Sequence, residues 1–406
     1  MIRFGPAGIP LSCKGRTLRD GISDIHSLGL TAMEVQFIKV NAHTRPASEE
    51  EIGKRPYDIP NELIVEVATG SRPDQAPDPA ALLQPIPRKA NVTVLSWFLA
   101  KSYADLQQAR VLSRAVDVHL ALHAPYYVDF ASSPSARERT LRQYRWAAAL
   151  AQALGAETMV GHLGFYGTSD HDASFERTRN DLKDLRKWLD RVDHGELRLG
   201  IEPSGHPEVF GTREEILQLA REVKGLVPVL NLAHIAAREG KNFSDKVELH
   251  KLVDDFVEAS RGNLYLNFSG VEFYAQGDFR LTPIKRGAVH FDSVADVLAE
   301  REYDGTVISS SPLLEHDAMY MKLLYERALA KRFAKKHAPP PPTPAVPVKS
   351  AKPTKAAKPA KGKPAAKPKG KVPAQAKPKA KPKPKPKPKP KPKGKPASKG
   401  SHARKR

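Results

Sequence analysis

Cysteine is almost missing from this chain: Cys13 is the only one in 406 residues. An intramolecular disulfide is therefore impossible, and so is a thiolate-rich zinc site, which leaves histidine and carboxylate as the only metal ligands. No apolar run approaches the roughly 20 residues of a membrane span, and the opening MIRFGPAGIPLS lacks the apolar centre of a secretory signal. These absences give the expectation of a soluble, cytoplasmic chain with no membrane partner. Acidic residues are missing from one end. From Ala338 to Arg406 there are 23 Lys and Arg and no Asp or Glu. Of the 66 basic residues, 43 therefore precede position 338, against 45 acids, so the body carries −2 and the tail supplies the whole-chain +21.

What is present is an alternation of short β-rich runs with amphipathic stretches, the pattern of parallel strands joined by helical crossovers. The strand candidates are IRFG, AMEVQFIKV, VHLALHAP, TMVGHLG, LRLGIEP, VPVLNLAH, NLYLNFSG and GTVISSSP. Between Arg139 and Gly155, the residues Trp146, Ala149, Leu150, Ala153 and Leu154 share one helical face, with Gly155 placed to end the helix. Leu182, Leu185 and Leu189 repeat that spacing, as do Ile216, Leu217 and Ala220, and Leu249, Leu252, Val253 and Phe256. Eight such units predict a (β/α)₈ TIM barrel over residues 1–337, a fold that starts near roughly 250 residues and grows by insertion. An open doubly wound sheet competes, but no Gly-rich phosphate loop follows the first strand. The proline-dense stretch from about 41 to 90 reads as an insertion with one extra strand, after which NVTVLSWFLA is expected to return the chain to the barrel.

In this fold the C-terminal ends of the strands converge on one mouth. The polar residues at that position are His123, His162, Glu202, Asn231, His234, Asn267 and Ser310. A single histidine there also fits a hydrogen-bonding cap. Two histidines and a glutamate on consecutive strands instead form an open His₂Glu set suited to Zn²⁺, which acts as a Lewis acid and acidifies a bound water. Asn231, Asn267 and Ser310 are neutral, so they orient a substrate or a water and do not balance a further dication. Asp278 is the acid of the stretch YAQGDFRLTP after the seventh strand, and it also fits a solvated loop acid.

At these residues the sequence resembles the endonuclease IV family of apurinic/apyrimidinic endonucleases. The resemblance runs through RFGPAGIPLSCKG, GLTAMEVQF, HAPYYVDFAS, HLGFYG, IEPSGHPEVFG, LNLAH and SSPLLEHDAMYM, covering nearly all of Met1 to about Lys335. It implies a barrel holding three Zn²⁺ ions and hydrolysis of the DNA backbone 5′ of abasic sites. Carried over residue by residue, it keeps His123, His162 and a bridging Glu202 as ligands of one zinc, with Glu202 central to catalysis, and His234 as a ligand of another. Asn231 stands where the family has Asp, Asn267 where it has His, and Ser310 where it has a carboxylate. The family's Asp/His pair after the seventh strand is represented at best by Asp278 and Arg280. A cluster so depleted is expected to hold one zinc ion. Arg280, Lys285 and Arg286 are candidates to replace part of the missing positive charge.

The tail, 338–406, is Lys, Pro, Ala and Gly, with lysines Lys381, Lys383, Lys385, Lys387, Lys389 and Lys391 alternating with proline. Proline disfavours helix and like charges repel, so an extended, disordered segment is expected, with a reach on the order of 200 Å. A lysine array without aromatics binds phosphates non-specifically through counterion release. The combined expectation is a monomeric, zinc-dependent DNA repair endonuclease associated with the nucleoid. A DNA-binding protein that has lost catalysis and a sugar isomerase or epimerase are the alternatives, the latter disfavoured because no second carboxylate is found at a strand end.

Overall fold

A computed structural model describes residues 1–69, 79–130, 133–167, 170–193, 196–275 and 277–337. The tail lysines Lys381 to Lys391 lie outside the described residues.

Eight parallel strands form the barrel: β1 (Ile2–Pro6), β2 (Ala32–Gln36), β3 (His119–His123), β4 (Thr158–Gly161), β5 (Arg198–Ile201), β6 (Leu226–Asn231), β7 (Asn263–Phe268) and β8 (Asp304–Ser309). From β2 to β8 each strand pairs with its neighbours in sequence, and β1 pairs with β8. The seam between β1 and β2 is narrow, with the Thr31 amide donating to the Phe4 carbonyl at 3.0 Å. All eight expected runs supply these strands. The helix read from the Trp146 to Leu154 face spans Pro134–Leu154 and ends at Gly155, whose φ of 72° is the left-handed turn that glycine adopts without strain.

Because successive strand residues point to opposite sides, every second residue lines the barrel interior. Ala32, Ala121, Val160, Val227, Val229, Tyr265 and Ile308 form an interior apolar plug. The larger core lies between the sheet and its helices. Two residues beyond members of the plug, toward the C-terminal ends, the inward positions turn polar: Ala121 is followed by His123, Val160 by His162, Val229 by Asn231, Tyr265 by Asn267 and Ile308 by Ser310. The mouth is thus the next layer of the same alternation.

The insertion differs from expectation. Asn91–Ser96 does not rejoin the barrel; it is the middle strand of a separate antiparallel sheet, flanked by Asn41–Pro46 and Leu63–Ala68. That sheet has its own small core of Ile59, Ile64, Val67, Ile86, Ala90, Val92 and Val94. Buried Glu66 anchors it to the helix Pro134–Leu154, accepting from Trp146 Nε1 at 2.8 Å and Arg142 Nε at 2.6 Å. A hairpin of Gly270–Ala275 and Asp278–Thr282 follows β7.

Candidate metal centre

His123 ends β3, while His162 and Glu202 each follow directly on β4 and β5, so three adjacent strands deliver their side chains to one point. All three are buried. Glu202 Oε1 lies 2.9 Å from His123 Nε2 and 3.0 Å from His162 Nε2. The donor atoms of the three residues fall within 4.8 Å of one another. The backbone at β4 is fixed by Tyr144, whose hydroxyl donates to the His162 carbonyl. That approach requires glycine at 161, where a Cβ would lie 2.2 Å from the Tyr144 hydroxyl oxygen.

The protonation pattern fits a cation at this point. His123 Nδ1 donates to the Ala124 carbonyl at 2.8 Å, which turns Nε2 toward Glu202. Burial opposes charge on His123, but the Glu202 hydrogen bond and the charges of Glu34 and Glu202 outweigh it and raise its pKa to about 9. Burial lowers His162 to about 4 despite Glu202, so this ring is neutral. His162 Nε2 has no hydrogen-bond partner among the described residues, although Glu202 Oε1 is close by. At 3.0 Å from Glu202 Oε1, this nitrogen is a close contact that a cation or a proton between the two atoms would relieve. Glu202 itself is held below the usual carboxylate range: burial would raise it, but His162, His123 and His234 outweigh that. Two imidazoles and one charged carboxylate are the donor set of an open zinc site.

The other Glu202 oxygen is already taken. Oε2 accepts from Asn231 Nδ2 at 2.9 Å and from Asn267 Nδ2 at 3.3 Å. Asn231 also caps the helix Leu232–Glu239, its side chain accepting from the His234 amide at 3.2 Å. A buried strand ends in an amide followed three residues later by histidine because the amide both caps that helix and holds the carboxylate. His234 stands outside the three-residue group. Its Nδ1 donates to the Pro203 carbonyl at 3.0 Å, its ring lies 6.0 Å from that of His162, and Phe279 packs edge-on against it at 5.5 Å. Burial lowers its pKa.

Asp278 is exposed on the hairpin and is not brought to the group. Arg280 is also exposed and pairs with Glu272 at 2.8 Å, while Lys285 lies over the Tyr320 ring at 4.3 Å. Neither faces the three ligands. Ser310 occupies the inward row beyond β8, with its amide donating to the Phe268 carbonyl at 3.0 Å.

Two features escaped sequence reading. Glu34 is a buried carboxylate in the middle of β2, below the strand ends where Glu202 stands. Tyr265 donates to its Oε2 at 2.8 Å and Gln36 to its Oε1 at 2.9 Å, and burial raises its pKa. Its signal was an acid in phase with Gln36 inside an apolar run. Tyr126, directly after the HAP of β3, stacks on His123 at 5.1 Å and packs against His162 at 4.5 Å, roofing the ligands.

These shifts set a pH dependence for the metal-free protein. His162, lowered to about 4, destabilises as pH falls from its unfolded value near 6.5. His123, raised to about 9, contributes stability that is full below about 6.5 and is lost as pH rises through 9. Melting temperature in chelator should therefore peak near pH 6.5 and fall on both sides, by at most about 1.4 kcal/mol per pH unit for each group. Zinc should remove the alkaline decline, because the ion takes the place of the His123 proton. A flat profile from pH 5 to 9 would contradict the assignment.

A family model described as xylose isomerase-like TIM barrel matches residues 93–318. An uncharacterized protein of Methanocaldococcus jannaschii is 25% identical over 217 residues, covering 52% of this chain and 77% of that one. Among solved structures, a D-tagatose 3-epimerase-like protein is similar at 17% identity and a TM-score of 0.50, covering 79% of this chain and 98% of that chain. An L-ribulose 3-epimerase is similar at 12% identity and a TM-score of 0.50, over 84% and 99%. Endonuclease IV from Thermus thermophilus aligns at 16% identity and a TM-score of 0.49, over 81% and 99%. At these identities the likeness to the two epimerase structures speaks for the barrel alone. No described helix is long and apolar enough to cross a membrane. With the matched segment taking in six of the eight barrel strands whole, β3 to β8, and more than half of the chain, this protein belongs to the xylose isomerase-like TIM barrel family.

Proposed function

We propose that this protein is a phosphodiester hydrolase of the endonuclease IV type, reduced to a single-metal centre and acting on DNA 5′ of abasic sites. One observation carries the reading: Glu202 offers Oε1 to the point where His123 and His162 converge, while its Oε2 is occupied by two amide donors. A carboxylate that bridged two ions through its two oxygens would need Oε2 free. Zinc held by His123, His162 and Glu202 would supply Lewis acidity toward a phosphate oxygen and acidify a water. The protein's own contribution is positional. Asn231 and Asn267 fix the Glu202 rotamer, the Ala124 carbonyl orients His123, and Tyr126 shields the ligands from bulk water.

The sugar isomerase alternative needs an acid/base pair facing its substrate. Glu34 is the second carboxylate available, but Tyr265 and Gln36 occupy its two oxygens. The hydrolase reading leaves it as part of the barrel interior. DNA is the proposed partner, with the lysine-rich 338–406 segment as a salt-sensitive phosphate-binding arm that keeps the protein on the nucleoid.

The test is nicking of a duplex carrying one abasic site, by the full chain. We expect incision on the 5′ side that chelator abolishes and zinc restores. Tight DNA binding without incision by zinc-loaded protein would overturn the hydrolase in favour of a binding protein.

A further inference from the structure

Glu34 follows Ala32 in the inward row of β2, and Ala32 belongs to the apolar plug of the barrel. It is only 1% exposed. Its oxygens accept from the Tyr265 hydroxyl at 2.8 Å and from Gln36 Nε2 at 2.9 Å, both neutral groups, and it forms no ion pair among the described residues. A carboxylate whose two oxygens both accept hydrogen bonds is arranged for its charged form, and a buried charge without a counter-charge is costly.

The counter-charge belongs to the layer above. Gln36 is in register with His123 and Glu34 with Ala121, so Glu34 stands one inward step below the ligands, on the order of 7 Å along the strand. Its partner Tyr265 likewise stands one inward step before Asn267, whose amide donates to Glu202 at 3.3 Å. Burial raises the Glu34 pKa, and the charge of His123 is the strongest influence against that rise. In the metal-free protein, protonated His123 thus supplies the positive charge that Glu34 lacks.

A divalent ion held by two neutral imidazoles and one carboxylate keeps one positive charge in excess, and in a buried pocket that excess is unfavourable in the same way as the unpaired Glu34. Counting Glu34 with the ligands brings the sum to zero. We propose that Glu34 is a charge-balancing residue of the metal centre: it does not ligate the ion, and its buried carboxylate supplies the second negative charge that suits the site to a divalent cation. The inference rests on the reading of His123, His162 and Glu202 as metal ligands, and not on the reaction or the substrate proposed above.

The experiment measures zinc affinity of the full chain by competition with a zinc-binding dye, with melts in chelator to show that each variant is folded. Glu34→Gln keeps the shape and removes the charge, whereas Glu34→Asp keeps the charge and shortens the side chain. The Gln variant should bind zinc at least about tenfold more weakly than wild type, and the Asp variant no more than about threefold more weakly. A greater loss in the Asp variant than in the Gln variant would mark Glu34 as a packing residue and overturn the proposal. If the Gln variant does not fold, the Asp variant still decides: retained affinity supports the charge, and a loss of about tenfold overturns it. Wild-type protein that binds no zinc would remove the metal centre and this inference with it, whereas equal binding by wild type and Glu34→Gln would remove the inference alone.

Discussion

Glu202→Gln should abolish zinc binding in practice, weakening affinity by at least about a hundredfold, and eliminate incision with it. Loss of an outer-sphere partner already lowers metal affinity by about 10- to 100-fold, and Glu202 is a direct ligand candidate and the only carboxylate in the three-residue group. The substitution also removes the charge on which both buried histidines converge. Without metal, His123 keeps its proton only because the Glu202 bond and the Glu34 and Glu202 charges oppose burial. Breaking such a buried pair from one side destabilises by about 3–5 kcal/mol. The variant should therefore melt earlier in chelator and gain nothing from added zinc. Competition with a zinc-binding dye and thermal melts check both effects. An affinity within about tenfold of wild type would show that the ion is held elsewhere.

Asn231→Asp should have the next largest effect, with a much larger cost without metal than with it. The wild-type amide donates to Glu202 Oε2 at 2.9 Å. An aspartate there sets two carboxylates against each other in a buried site, and one of them must take up a proton. The metal-free variant should lose about 3 kcal/mol, although Asp serves as well as Asn in capping Leu232–Glu239. Zinc should recover much of that loss, because a cation that binds only the folded state stabilises it. Asn231→Ala separates the causes: it loses the hydrogen bond and the cap without gaining charge. Melts with and without zinc read the difference. If the Asp variant behaves like the Ala variant in both conditions, the amide is not what keeps a second charge away from Glu202.

The barrel was legible because its signals agree at each level. Eight apolar runs alternate with helical faces, and the period-2 phase that buries Ala121, Val160, Val229, Tyr265 and Ile308 places His123, His162, Asn231, Asn267 and Ser310 in the mouth. Asn91–Ser96 was misread because Val92, Thr93, Val94 and Leu95 are all buried. A strand covered on both faces has the same pattern in a parallel barrel as at the centre of a small antiparallel sheet. Its neighbours decide between the two, and both of them, Asn41–Pro46 and Leu63–Ala68, sit within the proline-rich stretch. Glu34 was missed for another reason: its partner Tyr265 is 231 residues away, so nothing local shows why an acid is tolerated in β2. The amides at 231 and 267 were visible as lost charge. That both donate to one oxygen of Glu202 depends on geometry across β5, β6 and β7 that spacing does not encode.

The central claim is that Glu202 serves one ion and keeps its second oxygen for amides. Elemental analysis of the full chain, saturated with zinc and then freed of loosely held metal by gel filtration, tests it most directly. About one zinc per chain is the predicted result. Two or more would mean that Asn231 and Asn267 yield Oε2 to a second cation, and none would mean that the convergence of His123, His162 and Glu202 is a hydrogen-bonded cluster and not a metal site.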